Sequence, residues 1–504
     1  MGTLKVPEGG PKSDAVRLEE LGYASTFKRS MTLWQNFSLG FTYLSPVVGV
    51  YSVFALALST GGPPMIWWYL IAACGQMLVC LIFAETVSQF PIAGGLYPWA
   101  RRLVGKRWSW MAGWVYGWAL FTTVAGVAVG AGPFLASLLG RNSSPFITTL
   151  IALLLVVAAT AMNLAGTRLL AGVAMFGFIC EILGALAVGS YLFVFARHQS
   201  LGVLVKTFGI RHNGSYLFPF LAAALAGLYT CYGFEACADV AEETANAETQ
   251  IPRAMRRTIY IGMSASMFVC LALILALPDI PAVIHGQDRD PIMTVLRGAF
   301  GVLGSRLVIV VVLVSFLSCI LSLQAAVSRL LFSYARDNMI GGSEYLRRLS
   351  NRYVPSFALA VSCLIPAVIV CIGYFLQDAL ATIVSFAVAG IYISFQMVVA
   401  GALYARIRGW KPAGPFNLGQ WAPIVNVVAL LYGLAAIADI FWPQTPTAPW
   451  YVNYAIPFTT AIVIGSGVLY MMAGRPYESS TTPAGDAHAL RGPGKASEVP
   501  ETLA

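Results

Sequence analysis

Charge is scarce in this chain. Lys, Arg, Asp and Glu make up 11% of its 504 residues, against roughly 25% in ordinary soluble domains. Set beside 58% hydrophobic residues, that scarcity excludes a soluble globular class. Histidine is nearly absent: His198, His212, His285 and His488 are the only four, and all lie outside the long apolar runs. A histidine proton relay inside a membrane is therefore excluded. The nine cysteines all fall within apolar runs, and no two stand in a CxxC or CxxxC spacing. Cysteine there behaves as a small apolar residue, so neither a disulfide framework nor a thiolate metal centre is expected. A Walker-type loop, GxSxG and HExxH are missing as well, which leaves no motif for ATP hydrolysis or covalent catalysis. The expectation is a chain that is not an enzyme, carries no cofactor and holds no metal.

What is present is hydrocarbon-compatible sequence. Twelve apolar stretches approach the ~20 residues a spanning helix needs: 31–58, 65–89, 109–139, 146–165, 170–195, 216–240, 257–278, 306–334, 355–375, 378–403, 421–443 and 450–473. Residues 1–30 mix five basic with four acidic side chains ahead of an apolar run too long for a secretory signal. With a cytoplasmic N-terminus, 23 of the 31 Lys and Arg fall on the inner side and seven on the outer side. That asymmetry places both termini in the cytoplasm. The net charge of +9 then reflects topology and attraction to anionic membrane lipid, with no nucleic-acid partner implied.

Two of the stretches are interrupted. The first contains Ser45-Pro46-Val-Val-Gly49, where proline removes a donor and glycine relaxes the backbone. The sixth contains Tyr232-Gly233-Phe234-Glu235, a glycine beside a carboxylate inside an apolar run. A broken backbone in hydrocarbon is tolerated only where protein or a cavity covers it. An ionisable residue at that depth costs about 2.5–3.5 kcal/mol and marks a functional site by default. The two breaks lie five helices apart on oppositely directed spans, the pattern of an inverted five-plus-five repeat. The expected architecture is all-α: an N-terminal segment 1–30, repeats over 31–195 and 216–403, two appended helices over 421–473, and a tail, 474–504. The polar ends, 1–22 and 477–504, read as disordered.

Several motifs then carry a resemblance. Glu85-Thr-Val-Ser-Gln-Phe-Pro-Ile-Ala-Gly-Gly-Leu-Tyr-Pro-Trp-Ala100 resembles the signature after the second helix of the amino acid–polyamine–organocation permeases. Glu242-Glu-Thr-Ala-Asn246 through Ile251-Pro-Arg-Ala254 is similar to their linker between helices six and seven, and Ser328 through Asn338 to their eighth-helix exit. Gly414-Pro-Phe-Asn-Leu-Gly-Gln-Trp421 and Asn453-Tyr454 resemble the amino acid/choline branch. The resemblance covers residues 28–476. It implies a leucine-transporter-type fold and uptake of an amino acid or related amine at the plasma membrane.

It also implies a site. Amides at Ser45, Val48, Gly49 and Val50 would meet a substrate carboxylate, although the usual Gly-Ser-Gly run is only half kept. Carbonyls of Thr230, Cys231 and Tyr232 beside Gly233 would meet an ammonium, and Tyr43, Tyr51, Tyr229 and Phe234 would wall the pocket. Glu181 matches a helix-five position at which some relatives carry a basic residue in place of sodium. With Glu235, Ser318 and Ser322 it is a candidate for coupling to H+ or Na+. Asp239, Asp378 and Asp439 are further carboxylates nearer the span ends. Glu85 is expected to pair with Arg101 or bond free amides, and Glu242 and Glu243 with Arg253, Arg256, Arg329 or Arg336. The expected activity is secondary active import, with a choline, ethanolamine, polyamine or γ-aminobutyrate carrier or exchanger as the nearest alternative. A transport-dead nutrient receptor is the alternative from another class.

Overall fold

Thr32 starts the first membrane helix. Its side chain accepts from the Gln35 amide while the Gln35 side chain accepts from the Thr32 amide, a reciprocal box that satisfies two donors left free at a helix start. In this computed structural model the described residues are 14–141, 143–212, 214–375, 379–443 and 449–488. Asp378, residues 1–13 and residues 489–504 lie outside them.

A short helix α1 (Asp14–Glu20) precedes α2 (Leu33–Leu44). Ser45 then takes φ 43° and ψ 92°, and Pro46 opens α3 (Pro46–Gly61) at the helix position where its missing N–H costs least. The chain continues through α4 (Trp67–Gln89), α5 (Leu96–Leu103), α6 (Lys106–Gly130), α7 (Gly132–Leu138), α8 (Pro145–Leu164) and α9 (Thr167–Phe195). Next come α10 (Leu217–Ala222), α11 (Leu225–Thr230), α12 (Ala236–Asp239), α13 (Ala247–Ala276) and α14 (Ile280–Ile284). The remainder is α15 (Pro291–Arg336), kinked at Gly301, then α16 (Ser343–Leu346), α17 (Ser356–Tyr374), α18 (Ala379–Ile407), α19 (Ala422–Phe441), α20 (Trp450–Asn453) and α21 (Ala455–Gly474). No strand occurs among the described residues.

Eleven helices are long and apolar enough to cross a membrane, among the described residues. The sixth expected span is not one helix. It divides into α10, α11 and α12, with residues 231–235 between the last two outside any helix. The break falls at Tyr232–Gly233, where the sequence placed it, and has a physical reason: Gly233 sits at φ 107°, a conformation that ends a helix and favours glycine. Every residue from 226 to 244 is buried, as an interrupted backbone in hydrocarbon requires.

Helix α13 packs against α2, α4 and α9, while α15 packs against α2, α6 and α9 and α11 packs against α3. The two broken segments therefore meet in the middle of the bundle. At the end bearing the termini, residues 477–488, the described part of the expected disordered tail, are held by hydrogen bonds to α5. Arg101, fully buried on α5, donates to Ser480 Oγ at 2.8 Å and to the carbonyls of Thr482 at 2.7 Å and Pro483 at 3.1 Å. The amides of Gly485 and Ala487 donate to the carbonyls of Arg101 and Arg102, and Arg102 pairs with Asp486 at 2.9 Å. Helix α1 is held as firmly as the tail. Arg17 pairs with Glu248 at 2.9 Å and donates to the Gln89 carbonyl, also at 2.9 Å. Strong donors on α5 and α1 thus hold residues 14–22 and 477–488, polar segments whose composition alone reads as disordered.

Candidate substrate and coupling site

The site is built where α2–α3 and α11–α12 break against each other. A Cβ added at Gly233 would lie 2.6 Å from the Leu44 amide nitrogen, so the helix-six break touches the backbone of the helix-one break. Asn36 ties the pair together, donating to the Cys237 carbonyl at 2.7 Å and to Thr244 Oγ1 at 2.9 Å. The sequence reading missed Asn36, and a lone amide within an apolar span is the signal that could have found it.

Of the expected wall residues, Tyr43, Tyr229 and Tyr232 form one cluster. The Tyr232 ring stands edge-on to Tyr43 at 6.1 Å and to Tyr229 at 5.9 Å. Tyr51 packs instead on Phe134 at 5.8 Å. Phe234 turns away to Phe83 and Phe395, at 6.0 and 5.5 Å. Val48, Gly49, Val50, Thr230 and Cys231 are all buried. Among the described residues, the carbonyls of Thr230, Cys231 and Tyr232 receive no backbone hydrogen bond, so they are free to accept from a ligand.

The carboxylates divide into two settings. Glu181, on α9 and fully buried, accepts through Oε1 from Ser45 Oγ at 2.7 Å and from the Val47 amide at 2.8 Å. It is not hydrogen-bonded to either of the serines expected beside it. Ser318 donates to the Val314 carbonyl and Ser322 shares a bond with Thr42 at 2.8 Å. Glu235, also fully buried, accepts through Oε2 from the Gly233 amide at 2.8 Å. Its Oε1 lies 3.4 Å from the Tyr116 hydroxyl, which is 3.4 Å from Asp239 Oδ2 as well. Tyr116, within the tryptophan-rich α6, carried no signal in the sequence.

Below Asp239, toward the termini, ion pairs close the bundle. Arg329 pairs with Glu243 at 2.8 Å, both buried, and Thr167 donates to the same carboxylate at 2.5 Å. Arg336 pairs with Glu242 at 2.6 Å, while Asp337 accepts from Tyr97 at 2.9 Å and lies 3.6 Å from Arg101. Two of the four expected arginine partners, Arg329 and Arg336, are thus the ones used, and Arg253 and Arg256 are not. Glu85 pairs with Arg406, not with Arg101, and also accepts from the Leu418 amide at 2.9 Å. The reason is geometric: α18 passes beside α4, whereas Arg101 points into the tail.

Comparison with known proteins bears on the family and the fold. The chain is 26% identical over 493 residues to the amino-acid permease BAT1 homolog of Oryza sativa subsp. japonica, covering 92% of this chain and 94% of that protein. It is 24% identical to the GABA-specific permease of Saccharomyces cerevisiae, covering 92% and 85%. Among solved structures, a histidine-to-alanine mutant of the manganese transporter from Eremococcus coleocola superposes with a TM-score of 0.57. The identity there is 13%, over 94% of this chain and 98% of that one. That likeness establishes the leucine-transporter-type fold alone. The profile of the amino acid permease family matches residues 31–465. A multi-pass helical membrane protein with two paired helix breaks and a profile match across most of its length is a transporter, and this chain belongs to the amino acid permease family.

Proposed function

We propose that this chain is a secondary active transporter that imports an amino acid or related small amine across the plasma membrane by alternating access, driven by protons, with both termini in the cytoplasm. The observation that carries the reading is the contact of two broken helices at a tyrosine cluster, with carboxylates buried at each break. Interrupted helices in facing repeats are where secondary transporters hold their solutes.

Of the two buried glutamates, Glu235 carries the coupling proton in this reading. A hydroxyl donates one proton and accepts through its lone pairs. Tyr116, within reach of Glu235 and Asp239 alike, can therefore pass a proton from the first toward the second, on the terminus-bearing side. Opening of the Glu243–Arg329 and Glu242–Arg336 pairs would complete the path inward. The test is purified protein in liposomes with a panel of labelled amino acids and amines. Accumulation under an inward proton gradient supports the reading. Accumulation that follows a sodium gradient at constant pH would assign the coupling to sodium instead. Absence of uptake and counterflow for every solute would leave the receptor alternative.

A further inference from the structure

Glu181 occupies the place at the start of α3 where an anionic ligand would bind. Pro46 has no N–H to offer there. The Val47 N–H donates to Glu181 Oε1 at 2.8 Å, the Val48 N–H to Ser45 Oγ at 3.2 Å, and the Gly49 N–H to the Ser45 carbonyl at 2.8 Å. A helix start normally attracts anions because its first amides lack partners. Here each of those amides is already satisfied from within the chain. The second carboxylate oxygen, Glu181 Oε2, is fully buried and has no hydrogen-bond partner among the described residues. A buried polar atom left in that state asks for a ligand, an ion or a water.

The rest of the neighbourhood is also built from carboxyl groups. Glu235 and Asp239 lie on the helix-six side, and Arg329, the base toward the terminus-bearing end, is bound to Glu243. The helix-six break offers the open carbonyls of Thr230, Cys231 and Tyr232 together with the amides of Tyr232 and Phe234. The tyrosine faces beside them suit a cationic nitrogen. Open acceptors and the carboxyl groups of Glu181, Glu235 and Asp239 stand around the paired breaks, and a cationic nitrogen finds its partners among such groups.

We propose that the substrate is an organic amine cation with no carboxylate of its own, and that Glu181 is a built-in replacement for that carboxylate. The proposal rests on the transport reading above and specifies its solute. An α-amino acid would bring a carboxylate to α3 amides already filled and to a carboxyl group, Glu181, already seated there. The matching decarboxylated amine brings only the ammonium, which the helix-six carbonyls and tyrosine faces receive. Selection is large when the wrong ligand leaves buried polar groups unpaired.

Counterflow in liposomes with the purified full-length chain tests this on matched pairs: cadaverine against lysine, putrescine against ornithine, agmatine against arginine, ethanolamine against serine. Wild-type protein is expected to favour the amines by about tenfold or more in kcat/KM. Glu181→Ala, which vacates the Val47 amide, should shift the preference toward the amino acids, and added acetate should partly restore amine transport. Glu181→Gln keeps an acceptor oxygen for Val47 and Ser45 and should still exclude the amino acids. That makes it the variant to read should the alanine protein fail to fold. Wild-type preference for the amino acids, or unchanged preference in Glu181→Ala, overturns the substrate class while leaving transport standing. No counterflow by any pair overturns transport itself, and this proposal with it.

Discussion

Thr230 fills the space where a side chain at position 49 would begin. A Cβ on Gly49 would stand 2.6 Å from Thr230 Cγ2 and 2.9 Å from its Oγ1. The two half-helices thus approach as closely as backbone and one methyl allow, and the approach joins the two breaks into one site.

The first prediction follows from that contact. Gly49→Ala should cost about 1–3 kcal/mol as an overpacked core position and lower uptake. Adding Thr230→Ser removes the obstructing methyl and should restore much of both, a coupling that a double-mutant cycle with thermal unfolding and uptake measures directly. Gly49→Leu and Gly233→Leu should abolish uptake while both proteins still reach the membrane. Independent, additive effects of the Gly49→Ala and Thr230→Ser changes would show that the contact is not the limiting one.

Tyr116 supplies the second. Tyr116→Phe keeps the ring and removes the hydroxyl between Glu235 and Asp239. Accumulation against a gradient should fall at least about tenfold while counterflow persists, since exchange needs no net proton movement. Glu235→Gln should behave alike. Equal loss of counterflow in both variants would move these residues from coupling to substrate binding or folding.

A third concerns the closed end. Arg329 and Glu243 are each 1% exposed and 2.8 Å apart. Arg329→Ala leaves a buried carboxylate with only Thr167 for company and should destabilise the protein by about 3–5 kcal/mol. Arg329→Met combined with Glu243→Gln removes both charges and should recover most of the lost melting temperature in detergent. No recovery in the double variant would mean that packing of the arginine stem, more than charge, holds this end together.

The tail provides a fourth. Deleting the chain from residue 477 strips Arg101 of Ser480, Thr482 and Pro483 and leaves Arg102 without Asp486. Arg101 keeps Tyr97 and Asp337 and Arg102 keeps the Leu21 carbonyl, but donors of buried guanidinium groups lose their acceptors at a cost, so the truncated protein should melt lower than wild type. Arg101→Met should reduce the difference between full-length and truncated proteins. An identical melting temperature for wild type and truncation would show that the strap adds no stability.

Much of this molecule is local, and what is local was legible. Low charge and long apolar runs dictate membrane helices. Pro46 and Gly233 dictate breaks in the first and sixth of them, because a missing N–H and a positive φ act on the residues beside them. Glu181 and Glu235 could be singled out because a carboxylate inside an apolar run is costly wherever the chain takes it. Which partners those groups meet was decided by tertiary structure alone. Glu181 reaches Val47 across 134 positions of chain and Glu85 reaches Arg406 across 321. Arg101, a nearer candidate for Glu85, turns to the tail. The reason is that hydropathy and backbone breakers specify each helix separately. The pairing of buried charges depends on how the helices cross, and several pairings suit the same helices equally until packing brings one acceptor within reach of one donor.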